Sequence, residues 1–499
     1  MSTAPTQAAV FLGVHLAADR ANVCAATETG EILCETNAPY AMPRRSAIMV
    51  KGVSEMDPEI WWDATRLALG QLVNQLRPKV TGSSQLKAIC VCGDPGALLV
   101  LDKSGTPLMP AILEDDVRAG DQVTSLNYLG AEHCKKMGVQ FRAEFALAKI
   151  AWIKENLSEL YENAYFAHPT DYILGRLKGG VDCTEYSLAV RTGCDLIDEC
   201  WPDWLDYDMH LGVRDRLPKL VALGQPVGKV TQKASSLTGL PVGVATVMGT
   251  TSDTASFLAS GARREGDFYT VLHNGMSISG ISPKMLYFAN GQIRSFKLPN
   301  RNWLFTTESK TGAEWIKVWF NESAFEELEA ESHSLLPSDY LAYPNARKGE
   351  TFPFTSGSAE GFISPATDDR VVQFASCLQG TALFERLCYQ KLDKLAGLKS
   401  AHGDVYSGGT WSASDPWMQC RADMTGRVNR RMVGRAEAAF GAAMIGAMGV
   451  QFKSFEETTA MMLTVEKVFF PNPELTTAYT ERFQNFVTLM GEQGYIADK

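Results

Sequence analysis

Hydrophobic and polar positions alternate along the start of the chain in three short runs that have the period of β-strands. The runs read VFLGVHLA, ANVCAAT and EILCETNAPY, and turn chemistry occurs at Thr29–Gly30. Apolar residues then recur at helical spacing from Pro58 to about Leu76, and the continuous apolar run LKAICVCG follows. The pattern predicts a β-meander, then a helix, then a buried strand.

The first half of the chain continues with a predicted hairpin, ALLVLDKSGTPLMPAIL, and with the segment FALAKIAWIKENLSELYENA, whose apolar spacing predicts helix. In the second half, from GDFYTVLHNGMSISGISP onward, the meander pattern returns. The repeat predicts two α/β domains built on one plan, with a ligand-binding cleft between them. Two unrelated α/β domains would produce the same pattern, so the pattern alone leaves that alternative open.

Composition limits the class of protein. A chain of 499 residues that is 45% hydrophobic can bury more than one core. The net charge of −10 argues against nucleic acid as a partner, and the compact basic cluster is interpreted as a solvated face, formed by Arg427, Arg430, Arg431 and Arg435. Neither a signal peptide nor an apolar run long enough for a membrane span occurs. With scattered cysteines, these features predict a reduced, cytoplasmic protein without a membrane partner.

A glycine-rich segment in the second half offers the first candidate chemistry. In VYSGGTWSASDPWMQCRADMTGRV, a predicted strand ends at Gly408 and Gly409 and leads toward a helix. Such a turn lets the backbone approach a flat ligand and presents free N–H groups at the helix start. Taken alone, an ordinary strand-to-helix turn explains the two glycines equally well.

The longer spacing around these glycines resembles the adenosine-binding segment of the FGGY carbohydrate kinases. The matching positions are, in order, Gly408, Gly409, Ser414, Trp417, Gln419, Ala422, Asp423, Gly426 and Gly441-Ala442-Ala443. The resemblance extends from the opening hairpin to about Gly449. It implies two RNase H-like domains of the actin, hexokinase and Hsp70 ATPase type flanking a central cleft. Residues 1–259 would then bind a sugar and residues 260–499 the nucleotide, with ATP and Mg²⁺ as cofactors.

Two segments of the first half resemble the sugar side of this family. GDPGALLVLDKSGTPLMPAILEDDVRAGDQ is similar to its sugar-binding hairpin, and Asp116 and Arg118 occupy the final acid and base of that pattern. After the preceding strand, many members of the family have Gln-Met-His-Gly, and this sequence has Asp94, Pro95, Gly96 and Ala97. The resemblance implies that the substrate is bound by Asp94, Pro95, Gly96, Asp116 and Arg118. Without it, Asp116 and Arg118 are equally explained as a surface ion pair.

The candidate catalytic residue is Asp253, in PVGVATVMGTTSDTASFLASGA. Phosphoryl transfer requires that the acceptor hydroxyl be aligned and lose its proton, and one carboxylate can accept that proton. In the resembling family, an Asp after a Gly-rich turn is this base, and it also contacts the substrate. The alternative is that Asp253 or Ser252 merely caps a helix.

The phosphate-binding motifs depart from the family pattern. HNGMSISG keeps Gly275 and Ser277 but has Met276 where the family has Thr, and the segment TGAEW offers Gly312 as a weaker nucleotide contact. The opening hairpin of the family reads Gly-Ile-Asp-x-Gly-Thr-Ser. Here the aligned residues are Gly13, Val14, His15, Leu16, Ala17, Ala18 and Asp19.

The hairpin change bears on the metal. His15 replaces the carboxylate near Mg²⁺, and a neutral imidazole is a poor ligand for that ion. Ala17 and Ala18 keep the phosphate-binding positions, and Asp19 is the candidate that supplies the missing charge to the metal.

Two functions from different classes follow. In the first, the protein is an ATP-dependent kinase of a ketopentose, xylulose-like or ribulose-like, or of a related polyol, which it phosphorylates at a terminal hydroxyl. In the second, it is a catalytically impaired sugar-binding or nucleotide-binding relative with a regulatory role. Asp253 favours the kinase, whereas His15 and Met276 favour the binding protein. Related kinases are often dimers, so a homodimer is one expected state of assembly.

Overall fold

The computed structural model describes residues 7–40, 52–207, 209–287, 291–398, 403–434 and 437–496. The strands β1 to β21 are, in order, Val10–Leu16, Arg20–Thr27, Ile32–Pro39, Glu55–Met56, Leu86–Gly93, Leu99–Leu101, Ala111–Ile112, Tyr165–Ala167, Cys183–Glu185, Lys219–Val221, Pro226–Lys229, Ala245–Val247, Phe268–Leu272, Met276–Ser282, Ile293–Lys297, Trp303–Ser309, Leu341–Tyr343, Phe362–Ser364, Val405–Gly408, Asn429–Met432 and Val465–Phe469. The helices α1 to α17 are, in order, Glu59–Leu76, Gln122–Leu129, Ala131–Met137, Ala146–Asn156, Ser158–Tyr161, Pro169–Lys178, Tyr186–Ala189, Trp204–Tyr207, Gln232–Thr238, Ser252–Leu258, Glu314–Trp319, Phe325–Ser332, Arg370–Ala396, Asp415–Thr425, Ala438–Val450, Phe455–Met462 and Pro473–Glu492.

The chain folds into two compact units that do not follow a single cut of the sequence. The first unit comprises Met1–Ala259, Phe296–Arg301 and Ala436–Leu463, and the second comprises Ser260–Ser295, Asn302–Arg435 and Thr464–Lys499. The predicted boundary after residue 259 coincides with the main division. Residues 436–463 were predicted to belong to the C-terminal domain. In the structure they belong to the first unit, because helices α15 and α16 pack there.

A six-stranded sheet forms the centre of the first unit, in the order β11-β12-β5-β1-β2-β3. Strands β1, β2 and β3 are an antiparallel meander. Strand β5 lies parallel beside β1, and β12 lies parallel beside β5. Alternate residues of β1 (Val10, Leu12, Val14 and Leu16) share a buried cluster with the apolar face of α1. The period of two in the sequence thus places one face of the sheet in the core.

Helix α15 covers the opposite face of this sheet and contacts β1, β5 and α10. A Cβ atom on Gly13 would lie 1.9 Å from the carbonyl oxygen of Ala439, so only glycine permits this approach. His15 lies two residues beyond Gly13 and therefore points to the same side of β1. The His15 side chain reaches Ser252 at the start of α10, the helix that carries Asp253.

The second unit repeats the plan of the first. Its seven-stranded sheet has the order β15-β16-β14-β13-β19-β20-β21, in which β13, β14 and β16 are the antiparallel meander and β19 and β20 are the parallel strands. The long helix α13 supplies much of its buried core. The two α/β domains on one plan, predicted from the repeated pattern, are therefore confirmed.

Most elements of the first half lie where the hydrophobic pattern predicts them. The three opening runs are β1, β2 and β3, the helical spacing is α1, and LKAICVCG is β5. The predicted long helix is instead two helices, α4 and α5, because the backbone of Leu157 leaves helical geometry at φ −134° and ψ 51°. Along the described ranges, no helix is both long and apolar enough to cross a membrane.

Candidate functional site

The carboxyl ends of β1, β5 and β12 meet at one edge of the first sheet, because the three strands are parallel. Asp94 directly follows β5, His15 lies near the end of β1, and the segment after β12 leads into α10. This edge is where ligands usually bind in sheets with parallel strands. It brings the predicted residues Asp94, Pro95 and Gly96 to the same edge as Asp253.

Asp253 lies in the first turn of α10 with an exposed side chain. The hydroxyl of Thr251 caps this helix by accepting a hydrogen bond from the backbone N–H of Thr254, at 3.2 Å. The alternative in which Asp253 or Ser252 is the cap is therefore wrong. Asp253 is left as a solvent-facing carboxylate near the positive end of a short helix.

Buried hydrogen bonds fix the segment that precedes Asp253. The carbonyl oxygen of Thr250 accepts a bond from the N–H of Gly93, at 3.2 Å, and its hydroxyl donates to the carboxyl of Glu185, at 2.9 Å. Burial raises the pKa of Glu185 to about 7. Glu185 was not predicted from the sequence, because Thr250, the residue that donates a hydrogen bond to it, lies 65 residues away.

His15, Ser252 and Asp94 form a polar cluster beside Asp253. The Nε2 atom of His15 lies 3.1 Å from the hydroxyl oxygen of Ser252. Burial lowers the pKa of His15 to about 4, so its ring is neutral at physiological pH. Partial desolvation and the negative charges of Asp253 and Glu114 raise the pKa of Asp94, whereas a hydrogen bond from Ser252 works in the opposite direction.

Two buried basic side chains hold the loop that follows Asp94. The ammonium of Lys149 donates to the carbonyl oxygens of Gly96, at 3.1 Å, and Leu113, at 2.7 Å. Burial lowers the pKa of this lysine to about 8. The His168 ring lies 3.3 Å from the carbonyl oxygen of Ala97. Lys149 was missed in the sequence, although a lysine among the apolar residues of FALAKIAW is a usable signal.

Gly96 makes room for a neighbouring acid. A Cβ atom on Gly96 would lie 2.4 Å from a carboxylate oxygen of Glu114. Glu114 pairs with the guanidinium of Arg191, which lies over the Phe145 ring at 5.7 Å. Glu114 is half-exposed and Arg191 is largely buried next to the loop of Asp94, and neither was a predicted site residue.

Asp116 and Arg118 pair with each other, and their predicted contact with a sugar stays a prediction. The Asp116 side chain is fully buried, and its oxygens accept bonds from the Ser54 N–H at 2.7 Å and from Arg118 at 2.7 to 3.0 Å. Burial opposes ionisation of Asp116, but these bonds outweigh it and hold its pKa below the ordinary value. As arranged, this carboxylate shapes a loop instead of offering a free acceptor to a sugar. The pair is also not the surface ion pair of the alternative interpretation, since Arg118 is only 11% exposed.

The opening hairpin turns at Ala17, Ala18 and Asp19, where the N–H of Ala17 donates to the carbonyl oxygen of Arg20 at 3.0 Å. The carboxylate of Asp19 is exposed and accepts from the Arg20 guanidinium through both oxygens, at 2.7 to 3.1 Å. The hydrogen bond from Arg20 lowers the pKa of Asp19.

A metal ligand role does not fit Asp19 as arranged, because a guanidinium on both oxygens competes with a cation. Over the part of the chain that the structure describes, no group of three or more His, Cys, Asp or Glu side chains is placed to hold a metal ion. Mg²⁺ is commonly held by few carboxylates together with waters and substrate phosphates. The requirement for Mg²⁺ stays a prediction.

In the second unit, the structure brings Gly275 and Gly312 together. A Cβ on Gly312 would lie 2.2 Å from the carbonyl oxygen of Gly275. The N–H of Ala313 donates to the carbonyl oxygen of His273 at 2.8 Å, so the two loops are joined through their backbones. Met276 is buried in the core beside them, and Ser277 points to the opposite side of β14. The Met at position 276 therefore contributes to packing of the core.

The glycine pair at the end of β19 lies at the same edge of the second sheet. Gly409 is exposed and has a φ of +85°, a conformation that favours glycine. Ser414 caps α14 by accepting a bond from the N–H of Trp417 at 3.1 Å, and its hydroxyl donates to Glu329. Gly408 and Gly409 thus present backbone at this edge, whereas Ser414 has a structural partner that the sequence did not indicate.

The basic cluster is not a solvated face. Arg427 is buried, pairs with Asp393 at 2.5 Å and donates to the carbonyl oxygens of Gly266 and Gly403. Arg430 and Arg431 also pair with carboxylates. Arg435 lies outside the described residues. The carboxylate partners of Arg427, Arg430 and Arg431 all belong to the second unit.

Two units, each with an antiparallel meander continued by parallel strands, define a protein with two ribonuclease H-like domains. Residues 10–259 match the sequence model of the N-terminal domain of the FGGY family of carbohydrate kinases, and residues 245–450 match that of its C-terminal domain. The chain belongs to the FGGY family of carbohydrate kinases.

Relatives and solved structures agree with this assignment over nearly the whole chain. The xylulose kinase of Staphylococcus xylosus is 24% identical over 496 residues, which cover 96% of this chain and 99% of that protein. The glycerol kinase of Aquifex aeolicus is 25% identical over 485 residues, covering 93% and 94%. The crystal structure of xylulose kinase from Rhodospirillum rubrum superposes with a TM-score of 0.78 at 21% identity, covering 97% and 98%. The structural likeness supports the fold.

Proposed function

We propose that this protein transfers the terminal phosphoryl group of ATP to a hydroxyl of a ketopentose, with xylulose as the first candidate. Membership of the carbohydrate kinase family and the full-length similarity to proteins named xylulose kinase support this substrate class. The glycerol kinase among its relatives keeps a smaller polyol as a second candidate acceptor.

The exposed carboxylate of Asp253 is the observation that carries the proposal. It lies on a helix whose preceding segment is fixed by buried bonds from Gly93 and to Glu185, so its position is well defined. A positioned carboxylate can accept the proton of a substrate hydroxyl as the new O–P bond forms. ADP leaves with the electrons of the broken bond, and the sugar carries the phosphoryl group.

The residues of the second unit would bind the nucleotide. Gly275 and Gly312 keep two loops in backbone contact. Gly409 lies in an exposed turn whose backbone N–H groups could contact a ligand. Backbone turns of this kind suit phosphate groups and the flat face of adenine. Mg²⁺ would then enter bound to ATP and neutralise charge on its phosphates. A cytoplasmic location fits such a reaction, since ATP and free pentoses are both available there.

A non-catalytic binding role, the alternative function, is less well supported. His15 and Met276 were the departures that favoured it. Met276 packs in the core, and His15 is hydrogen-bonded next to Asp94. Neither arrangement disrupts the edge of the sheet where Asp253 lies.

The test is a coupled assay of ADP release with Mg-ATP and a panel of xylulose, ribulose, glycerol and ketohexoses. We expect sugar-dependent turnover with a ketopentose and a fall in kcat of roughly 10²- to 10⁴-fold for Asp253→Asn. Asp63→Asn, at an exposed acid of α1 that pairs with Arg66, is the matched control and should leave kcat unchanged. Equal loss in both variants, or turnover without any sugar, would contradict the proposal.

A further inference from the structure

One carboxylate of the second unit is buried and accepts five hydrogen bonds. Glu350, which is only 2% exposed, lies in the segment after β17, and its side chain reaches the end of β16. Its donors are two backbone N–H groups and three hydroxyl groups. An ionised carboxylate has about four lone-pair sites. These bonds therefore leave neither oxygen of Glu350 free to bind a ligand.

The two oxygens of this carboxylate divide the donors between them. Oε1 accepts from the backbone N–H groups of Lys310 and Thr351, both at 2.8 Å. Oε2 accepts from the hydroxyls of Ser309 at 2.9 Å, Thr311 at 2.7 Å and Tyr343 at 3.1 Å. Hydrogen bonds to a carboxylate are roughly twice as strong as those between neutral groups. A single side chain therefore holds three successive residues, 309 to 311, in place.

The residues that Glu350 holds lead directly into the turn at Gly312, a candidate nucleotide contact. The loop of Gly275 packs on the same stretch of backbone, since a Cβ atom on Gly275 would lie 2.3 Å from the carbonyl oxygen of Ser309. Closely packed segments transmit small displacements to each other. The spacing of the two glycine turns therefore depends on where the end of β16 is held.

The backbone around Glu350 has hydrogen bonds of its own. The N–H of Glu350 donates to the carbonyl oxygen of Ser356 at 2.7 Å, and its carbonyl oxygen accepts from the N–H of Ser356 at 3.1 Å. The preceding Gly349 donates to the carbonyl oxygen of Ala359 at 2.7 Å. The carboxylate thus extends from a segment that is fixed independently of the turns at Gly275 and Gly312.

We propose that Glu350 is a positioning residue for the nucleotide: it fixes the end of β16 so that the turns of Gly275 and Gly312 keep the spacing that binds the phosphate groups of ATP. The inference deepens the proposed kinase function and rests on it for the identity of the ligand. Glu350 acts through these turns and does not touch the nucleotide, because the protein occupies both of its oxygens.

The first test needs no ligand. Amide hydrogen exchange, followed by mass spectrometry, is compared between the wild-type protein and Glu350→Ala. The informative peptide contains Ala313 and Glu314, whose N–H groups donate to the loop of Gly275 and not to Glu350. We expect exchange there to be faster by about fivefold or more in the variant. Unchanged exchange would show that the loops hold each other without Glu350 and would overturn the inference.

The second test measures nucleotide binding, with ADP as the probe. Glu350→Ala removes all five bonds, and we expect it to weaken ADP binding in calorimetry, and to raise the KM for ATP, by about tenfold or more. The KM for xylulose should change by less than about twofold. Glu350→Gln keeps one oxygen that can accept from the N–H groups of Lys310 and Thr351, and its amide can donate to hydroxyl oxygens. This variant should recover most of the affinity.

Gln379→Ala is the matched control in the same unit. Gln379 is also buried, and its amide forms hydrogen bonds with the backbone of Ser338 and Tyr340 at 2.9 to 3.2 Å. Its removal should lower the thermal midpoint and leave the affinity for ADP within about twofold of the wild type. Thr311→Val deletes a single donor to Glu350 and should weaken ADP binding by about threefold. It replaces Glu350→Ala in both tests if that protein does not fold.

The outcomes separate this inference from the proposed function. Unchanged ADP affinity in Glu350→Ala and Thr311→Val, or an equal loss in Gln379→Ala, would overturn the positioning role and leave the kinase standing. Failure of Glu350→Gln to recover affinity would overturn it as well. If the wild-type protein binds neither ATP nor ADP, the nucleotide role of Glu350 fails together with the proposed function, and hydrogen exchange then decides only whether Glu350 holds the two turns.

Discussion

At the scale of single residues, burial and partners decide what a carboxylate can do. Asp116 and Asp253 look alike in sequence, since each follows a recognisable motif. In the structure Asp116 is fully buried and its oxygens are occupied by Arg118 and a backbone N–H, whereas Asp253 faces solvent. Of the two, only Asp253 presents its side chain to solvent.

Burial of a histidine gives a prediction about stability at low pH. His133 packs against the rings of Phe141 and Trp204, and burial lowers its pKa to about 4, with smaller and opposed effects of Asp195 and Lys136. An unfolded histidine has a pKa near 6.5, so between these values the unfolded chain binds a proton that the folded protein does not. Stability is therefore lost as pH falls from about 6.5 to 4, on the order of 3 kcal/mol from this residue.

His133→Phe should remove this contribution. We expect the variant to gain stability relative to the wild type as pH is lowered from 7 to 4.5, measured by the thermal midpoint at each pH. At pH 8 the residue is neutral in both states, so the comparison there reports packing alone. A difference between the two proteins that is the same at every pH would contradict the assignment of a lowered pKa.

At the scale of elements, the glycines of the candidate site serve contact between backbones. Gly275 and Gly312 lie on loops after β13 and β16, and their close approach joins those loops. Gly312→Ala would place a methyl group 2.2 Å from the carbonyl oxygen of Gly275. The backbone must move to relieve that contact, which typically costs about 1–3 kcal/mol.

We therefore expect Gly312→Ala to lower the thermal midpoint by several degrees and to weaken ADP binding in calorimetry. Gly357→Ala is the matched control in the same unit, because no heavy atom lies within 4 Å of a Cβ at that position. A Gly312→Ala protein with wild-type midpoint and ADP affinity would show that the two loops adjust freely.

The elements also show what the sequence can predict and why the rest depends on folding. Strands β1, β2, β3 and β5 were predictable because one periodic pattern specifies each of them locally. The turns at Gly275 and Gly409 were predictable because a motif fixes their spacing. The contacts of His15 with Ser252 and of Lys149 with Gly96 were not, since each joins distant segments and no local pattern encodes the partner.

The incorrect assignment of Arg427 has the same physical origin. Arg427 was assigned to a solvated face from its charge, but a buried arginine is stable when it is paired and fully hydrogen-bonded, as it is with Asp393. Asp116 was assigned to the sugar from its motif, and in the structure Arg118 two residues later pairs with it, so a sugar contact of this pair stays a prediction. The sequence shows that a residue is charged, but it does not show whether that residue pairs with a ligand or with another residue of the protein.

At the scale of the whole molecule, each unit repeats one sheet topology, yet the first unit is not continuous in sequence. Its sheet is covered on one face by α1 and on the other by α15, which comes from a much later part of the chain. Nearly all residues of α15 up to Ala447 are buried. Without α15, one face of β1 and β5 would be uncovered.

The expected consequence can be measured on fragments. Residues 1–259 alone should lack fixed tertiary packing, with a weak near-ultraviolet circular dichroism signal and no cooperative thermal transition. A fusion of residues 1–259 through a flexible linker to residues 436–463 should recover both. If the shorter fragment unfolds cooperatively with a native-like spectrum, α15 is dispensable for the first core.

The late position of α15 in the chain also has a consequence for biosynthesis. A ribosome adds about 5–20 residues per second, so roughly ten to forty seconds pass between completion of residue 259 and emergence of this helix. Throughout that interval the nascent polypeptide exposes an apolar sheet surface that only its own distant segment is shaped to cover. Productive maturation in the cell should accordingly depend on chaperones that shield such surfaces, and slowing translation between the two segments should increase that dependence.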